Sequence, residues 1–463
     1  MMTASRLTAL LLLLVPACVV APRASSGGLK TPGHERDQRE SGRPNVILIL
    51  TDDQGSADTG AYGSSDLRTP ALDRLAARGV RFTSFYAAAP VCSPSRAALL
   101  TGRSPQAAGV PGNVSPRLGA GSGLPAEQIT IAELFRQAGY RTAHVGKWHL
   151  GHDPGLTPDG QGFHTWFGHL VGCIDNWSHF FFWNGPNRHD LYRDGTEVFH
   201  DGEYFPDLML DEAISVVREE REEPFFIYFA SNAPHYPYQG DAGRLDDYRR
   251  RGVPYPRDLY GAFLESIDAR IGTLLDELDA QGIAEDTIVV FQSDHGHSTE
   301  VRAHEGGGSS GGLRGAKFSL FEGGIRVPAL ISWPGHLPSG EVRSQLATAC
   351  DWMPTLLELC QLPAPEHTIS GRSLVPVLED RDAEQLHDVL HWQSGGQWAV
   401  RRGSWKLVQD PNDTSTGEHR RLEGPHLFNL AEDGAESTNL AATRPELVEE
   451  LTASHHEWAA RGH

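Results

Sequence analysis

A chain of 463 residues with 39% hydrophobic residues is long enough to bury a large core and a smaller second unit. Its 60 Asp and Glu against 40 Lys and Arg leave a formal net charge of -20 with no basic block, which argues against a nucleic acid as general partner and favours solubility and metal sites. An anionic substrate is not excluded, because a few clustered Lys, Arg and His residues reverse the field inside one pocket.

The opening stretch MMTASRLTALLLLLVPACVVAPRASS sets an Arg ahead of an apolar run too short for a comfortable membrane span. Residues 1–26 therefore read as a signal peptide, and the mature protein as exported, periplasmic or extracellular, with no transmembrane segment after the leader. VPAC, ending at Cys18, loosely resembles a lipoprotein cleavage site, so lipid anchoring through Cys18 and simple cleavage both stand. Residues 27–43, rich in Gly, Ser and charge, read as a linker.

NVILIL is a continuous apolar run of strand type, and the polar TDDQG follows it. TPALDRLAARG predicts a helix with Thr69 as cap and Pro70 in the first turn. In APVCSPSRAALLTGR, residues 89–103, Ser93 is placed to cap a helix that Pro94 opens and Ala97 to Leu100 continue. That leaves Cys92 where backbone N–H groups point outward, a position that attracts anions and activates thiols. A helix at ITIAELFRQAG leads to the strand-like YRTAHVG and then KWHLG, with Lys147 and His149 two apart and so on one side of an extended segment. PFFIYFASN runs into APHYP with His235, LYGAFLESIDARIGTLLDELDAQG predicts a helix ending at Gly282, and TIVVFQS runs into DHGHS with Asp294 and His295. Beyond Lys317, EGGIRVPALISWPG and a helix near residue 355, the strands QWAVRRGSWKLV and HLFNLAED and the helix RPELVEELTASHHEWAA predict a smaller antiparallel unit from about residue 372.

Strands alternating with helices predict α/β layers around a mainly parallel sheet. Each polar cluster follows a strand, and ligands of open α/β sheets bind beyond the carboxyl ends of strands. Asp52, Asp53, Lys147, His149, His235, Asp294 and His295 can therefore converge. A lone Asp-Asp pair suits a cap or a solvated turn equally well. Two acidic pairs after two strands favour a shared divalent cation, calcium or magnesium by oxygen ligation, with His295 leaving a transition metal open. Lys147, His149, His235 and Lys317 would make the pocket cationic, although each alone suits a surface charge or a loop contact. Metal, cations and a helix N-terminus together form a receptor for a tetrahedral oxyanion ester. Of the five cysteines, four remain without the leader. Ten helical residues would hold Cys350 and Cys360 about 15 Å apart, so their bridge needs the helix to break, and Cys173 pairs with either or stays free. No Cys or His spacing suggests structural zinc.

CSPSRAALLTGR resembles the sulfatase signature, in which Cys-x-Pro-Ser-Arg is the core recognised for conversion of Cys to Cα-formylglycine. GYRTAHVGKWHLG is similar to the family's second signature. The order of ILTDDQG, APHYP, SDHG and RGAKFSLFEGGIRVP, and the C-terminal WKL and LFNLAEDGAESTNLA, also resemble type I sulfatases over roughly residues 44–440. The resemblance implies an alkaline-phosphatase-like α/β fold, with a catalytic domain at 44–371 and an antiparallel-sheet subdomain at 372–463. It implies that Asp52, Asp53, Asp294 and His295, with the group at position 92, hold one divalent metal, Ca2+ foremost and Mg2+ or another ion as alternatives. A formylglycine-generating enzyme would convert Cys92, and one oxygen of the hydrated aldehyde would attack sulfur. Arg96 would steady this diol, Lys147, His235 and Lys317 would bind sulfate and assist departure of the alcohol, and His149 would take the proton of the second hydroxyl as sulfate leaves. His295 stands where many members have Asn. A phosphonate or phosphodiester hydrolase on the same site is the enzymatic alternative, against which Asp53 counts, and an inactive exported binding protein is the other. The aromatic, polar stretch 163–195, with Trp177, Trp183 and Arg188, suits either a sulfated glycan or packing on the main sheet.

Overall fold

Five strands form the parallel heart of the protein. Strands Asn45–Thr51, Arg141–Lys147, Thr165–His169, Phe225–Ala230 and Thr287–Ser293 lie in the spatial order 287–293, 45–51, 225–230, 141–147, 165–169, each parallel to its neighbours. The computed structural model describes residues 42–117, 119, 121–182 and 187–461; the expected leader with Cys18, nearly all of the expected linker, and Trp183 lie outside them. Among the described residues the sheet has ten strands. Ala329–Ser332, Val80–Phe82 and Glu341–Arg343 extend one edge, and Tyr192–Arg193 and Thr196–Glu197 the other, mostly by antiparallel pairing.

Both faces of this sheet are covered. Val46, Leu48 and Leu50 pack with residues of helices Cys92–Thr101, Ile131–Gln137 and Trp352–Leu359. Ile47 and Ile49 pack on the other side with helices Pro70–Ala77, Phe205–Arg218 and Arg257–Ala280. A strand buried on two faces has no polar side to show, which is why strands 45–51, 225–230 and 287–293 read as apolar runs, whereas strands 141–147 and 165–169 carry polar residues such as Thr142, His144 and His169 among the apolar ones.

Two helix starts differ from the expectation. Thr69 makes no side-chain cap; the Asp268 carboxylate, on the neighbouring helix, accepts the N–H groups of Ala71 and Leu72 at 2.9 Å each. Helix Cys92–Thr101 begins one residue before Ser93, with Val91 in the cap position and no capping side chain. The Ser93 hydroxyl instead accepts the Val114 N–H at 3.1 Å. Cys92 is thus inside the first turn. At Thr130 the hydroxyl and the Glu133 carboxylate do form a reciprocal capping box.

Strands Val389–Ser394, Gln397–Arg402, Trp405–Gln409 and Pro425–Asn429 form an antiparallel sheet. One face holds Val400, Leu407 and Leu427 against Leu451 of helix Pro445–Ala460. The other holds Trp392, Val408 and Phe428 against Tyr86, Phe321 and Ile325. Cys92, Cys173, Cys350 and Cys360 are all buried free thiols, so of the open pairings for Cys173 the unpaired one holds.

Candidate active site

The ends of four parallel strands bring the expected residues to one place. Asp52 and Asp53 follow strand 45–51, Lys147 ends strand 141–147, His235 follows 225–230, and Asp294 and His295 follow 287–293. Helix Cys92–Thr101 directs its first turn at them, supplying Cys92 and Arg96. The Cys92 Sγ lies 3.3 Å from His295 Nε2 and 3.6 Å from Asp52 Oδ1. Asp52, Asp53, Cys92 and His235 offer ligand atoms within 4.8 Å of one another, as do Asp52, Cys92, Asp294 and His295.

Cations interleave with these carboxylates. Lys147 Nζ is 2.5 Å from Asp52 Oδ2, and Lys317 Nζ is 2.8 Å from Asp53 Oδ1. Arg96 donates to the Lys147 carbonyl at 3.0 Å and to Asp294 Oδ2 at 3.2 Å. His235 Nε2 stands 3.6 Å from Asp53 Oδ2, and its Nδ1 lies 2.6 Å from the Tyr236 carbonyl. His149 is not on an extended segment: the strand ends at Lys147, and His149 adopts a left-handed φ of 58°, a strained value for a side-chain-bearing residue. The turn still brings it to the cleft over Cys92. Asp53 has a φ of 62°, so strain sits on two site residues.

The charges are poised around an anion. Burial would raise the Cys92 thiol, but Lys147 and Lys317 outweigh it and hold the group down at about 6. Burial pushes Asp53 up to about 7 despite Lys317, whereas for Asp52 the surrounding cations overcome burial and repulsion from Asp294 and hold it below the usual carboxylate range. Burial and the neighbouring Lys147 keep His149 far below the ordinary histidine value, so it carries a free lone pair at neutral pH.

Above Cys92 opens a cleft of about 200 Å³, reached by His149, His235 and Lys317 and walled by Asn113, Phe181, Tyr236, Arg302 and Phe318. The wall was not singled out from the sequence. Tyr236 adjoins His235 in APHYP and could have been included; Asn113 and Arg302 carry no pattern that marks them. Of the stretch 163–195, Gly172, Cys173 and Phe181 reach the cleft among the described residues. Trp177 stacks on Tyr204 with ring centroids 4.7 Å apart, and Arg188 donates to the Pro116 carbonyl at 3.0 Å with its guanidinium over Phe181.

The model of the family described as Sulfatase matches residues 44–362, and that described as N-sulphoglucosamine sulphohydrolase, C-terminal, matches residues 316–455. Human arylsulfatase A is 34% identical over 455 residues, covering 88% of this chain and 86% of its own length. Rat N-acetylgalactosamine-6-sulfatase is 38% identical over 455 residues, with 88% and 83% covered. The crystal structure of Ps i-CgsB in complex with k-i-k-neocarrahexaose superposes with a TM-score of 0.79 at 28% identity, over 90% of this chain and 92% of that one. The phosphonate monoester hydrolase of Agrobacterium radiobacter shares the fold, at a TM-score of 0.62 and 21% identity over 90% of this chain and 95% of that one.

Proposed function

Since the chain belongs to the type I sulfatase family of sulfuric ester hydrolases, we propose that it removes sulfate from a sulfated carbohydrate. In this reading a formylglycine-generating enzyme converts Cys92, and Asp52, Asp53, Asp294 and His295 hold one divalent metal, calcium foremost. The observation that carries the proposal is the meeting of a cysteine at a helix N-terminus with Lys147, Lys317, Arg96 and three carboxylates, all buried, under a cleft open to a ligand.

A metal fits these residues. Three buried carboxylates gathered around one point repel one another, and a divalent cation among them would offset both that repulsion and the burial that pushes Asp53 up. Oxygen-rich donors suit a hard divalent cation, which when bound polarises the ester and stabilises charge growing on its oxygens. Hydrated formylglycine supplies the attacking oxygen. The chain's own groups do the rest. Arg96, tied to Asp294 and the Lys147 carbonyl, fixes the floor beneath position 92. Lys147 and Lys317 turn from carboxylates to sulfate oxygens, where negative charge builds in the transition state. Lys147, His235 and Lys317 would assist departure of the alcohol, and the neutral His149 would accept the proton of the second hydroxyl at position 92 as sulfate leaves.

The names of the relatives support a glycan substrate, as does a cleft walled by Phe181, Tyr236 and Phe318 with Asn113 and Arg302. The likeness to the phosphonate hydrolase is one of fold alone, and Asp53 counts against that chemistry here. An inactive binding protein would be expected to have lost part of the cluster, and each expected position keeps its side chain. We further propose that residues 44–371 form the catalytic domain, that 372–463 form a C-terminal subdomain, and that the leader exports the protein; among the described residues no helix is long and apolar enough to cross a membrane. The test is a panel of sulfated saccharides beside an aryl sulfate, assayed on protein whose Cys92 peptide has been weighed by mass spectrometry. Turnover confined to the fraction with the aldehyde-sized side chain supports the reading, and full activity from unmodified Cys92 refutes it.

A further inference from the structure

Between strand Thr165–His169 and helix Phe205–Arg218 the chain gathers a second set of metal-ligating side chains, composed of residues that take no part in the cluster around Cys92. His179, His189 and Asp201 each offer a ligand atom, and these atoms lie within 4.8 Å of one another. The two imidazoles are 0% and 6% exposed while Asp201 is at the surface, so the group is buried on one side and open to an incoming ion on the other. Neither ring nitrogen of His179 makes a regular hydrogen bond among the described residues, and the same holds for His189 Nε2. A buried polar atom left in this way costs free energy unless a ligand satisfies it.

The surroundings are those of a metal-binding histidine pair. His189 Nδ1 lies 3.0 Å from Glu197 Oε1, and the Glu203 carbonyl lies beside His179. A carboxylate or carbonyl behind an imidazole fixes its tautomer and turns its other nitrogen toward a metal. The backbone holds the three side chains in register: Phe180 pairs with His189 and Phe181 with Arg188, the Asp190 N–H donates to the His179 carbonyl at 3.0 Å, and the Gly202 N–H donates to the Trp177 carbonyl at 2.8 Å. His179 is held at a left-handed φ of 60°, which the surrounding contacts must enforce.

We propose that His179, His189 and Asp201 bind one divalent transition-metal ion, zinc by the donor set, and that this ion braces the hairpin from which Phe181 lines the catalytic cleft. Two imidazoles and one carboxylate make a three-ligand zinc set with a fourth position left for water.

The full-length protein, with calcium in excess to occupy the Asp52 cluster, is titrated with zinc chloride by calorimetry, and bound zinc is counted by elemental analysis after gel filtration. Wild type should retain one zinc, His189→Ala none, and Asp201→Asn should bind at least about tenfold more weakly. At one zinc concentration the Tm of wild type should rise more than that of Asp201→Asn. Asp201 is at the surface, so its variant decides the matter if His189→Ala fails to fold. Unchanged zinc affinity in Asp201→Asn, no zinc uptake by wild type beside calcium, or a zinc that is lost with Asp53→Asn would each overturn the proposal.

Discussion

Gly172 shows how little room the site leaves. A Cβ placed there would come within 2.8 Å of His149 Cε1 and 3.1 Å of its Nε2, so Gly172→Ala must displace the imidazole. A misplacement of about 1 Å costs a positioned group about a hundredfold, if His149 has the role proposed for it. The expected outcome is a kcat lower by about 10–100-fold with an unchanged urea midpoint, read by steady-state kinetics and fluorescence unfolding. Cys92→Ala removes the proposed formylglycine precursor and should cut kcat by more than about a thousandfold while the far-UV spectrum is kept. Lys317→Ala takes away a cation 2.8 Å from Asp53 and should lower kcat/KM by about 10²–10³-fold. For sugar recognition, Phe181→Ala should lower the specificity constant for a sulfated saccharide more than for a small aryl sulfate, since Phe181 and not Trp177 faces the cleft. Equal losses on the two substrates would assign Phe181 to packing.

At the scale of elements, the helix Pro70–Ala77 depends on a partner rather than on its own start. Asp268 stands inside helix Arg257–Ala280, yet its carboxylate takes two N–H groups of the shorter helix's first turn. Asp268→Ala leaves those donors buried without an acceptor and should cost about 1–2 kcal/mol, seen as a lower urea midpoint with an unchanged m-value. Thr69→Ala would cost the same only if Thr69 were the cap; here its hydroxyl bonds Gly60 N–H and Asp73 instead. The Ser-Pro pattern after Cys92 misled in a similar way, because Val114, 21 residues on, uses the Ser93 hydroxyl. Capping chemistry is visible in a sequence, but the identity of the partner is not when that partner comes from another element.

Across the whole molecule, the C-terminal sheet is joined to the catalytic body by charge as well as by apolar contact. Lys406 Nζ, on strand Trp405–Gln409, lies 2.9 Å from Glu322 Oε1 and 3.0 Å from Glu436 Oε1, all three side chains buried. One lysine holds only one of two carboxylates ionised with ease. Burial would raise Glu322, but Lys406, with Arg401 and Arg326, outweighs it and holds the group down at about 2, while burial and the neighbouring Glu322 carry Glu436 up to about 7. Glu436 therefore binds a proton in the folded state that the unfolded chain has released above its ordinary value of 4.5. Its contribution to stability is full below that value and is lost as pH rises toward about 7. Urea midpoints should fall across this window in wild type, and Glu436→Gln should flatten the slope. The same sheet and the connection between its last two strands hold Lys317 in place: Gln397 Nε2 donates to the Phe318 carbonyl at 2.7 Å, and the Thr414 hydroxyl accepts the Ala316 N–H at 3.0 Å and donates to the Ala316 carbonyl at 3.1 Å. Thr414→Val strands the Ala316 N–H and carbonyl and loosens the loop bearing Lys317, so it should cost about 1–3 kcal/mol of stability and lower kcat severalfold at temperatures where the variant is folded.

Periodicity and order along the chain sufficed for the sheet and for the place of the site. Strands 45–51, 225–230 and 287–293 are buried on both faces and accordingly apolar, and polar residues at or just after the ends of parallel strands meet at the carboxyl end of the sheet, so Asp52, Lys147, His235 and Asp294 are grouped by the sequence pattern itself. The resemblance carried by CSPSRAALLTGR added the precursor role of Cys92. What only the tertiary structure decided is whatever joins distant segments without a repeating pattern: the wall of Asn113, Arg302 and Phe181, the cap from Asp268, the clamp on Lys317, and the His179, His189 and Asp201 group. His179 and His189 are ten residues apart and Asp201 twelve further on, a spacing that matches no short ligand motif. A hairpin and a turn bring them together, and backbone pairing of that kind is set by the packing of the whole fold rather than by the local run of side chains.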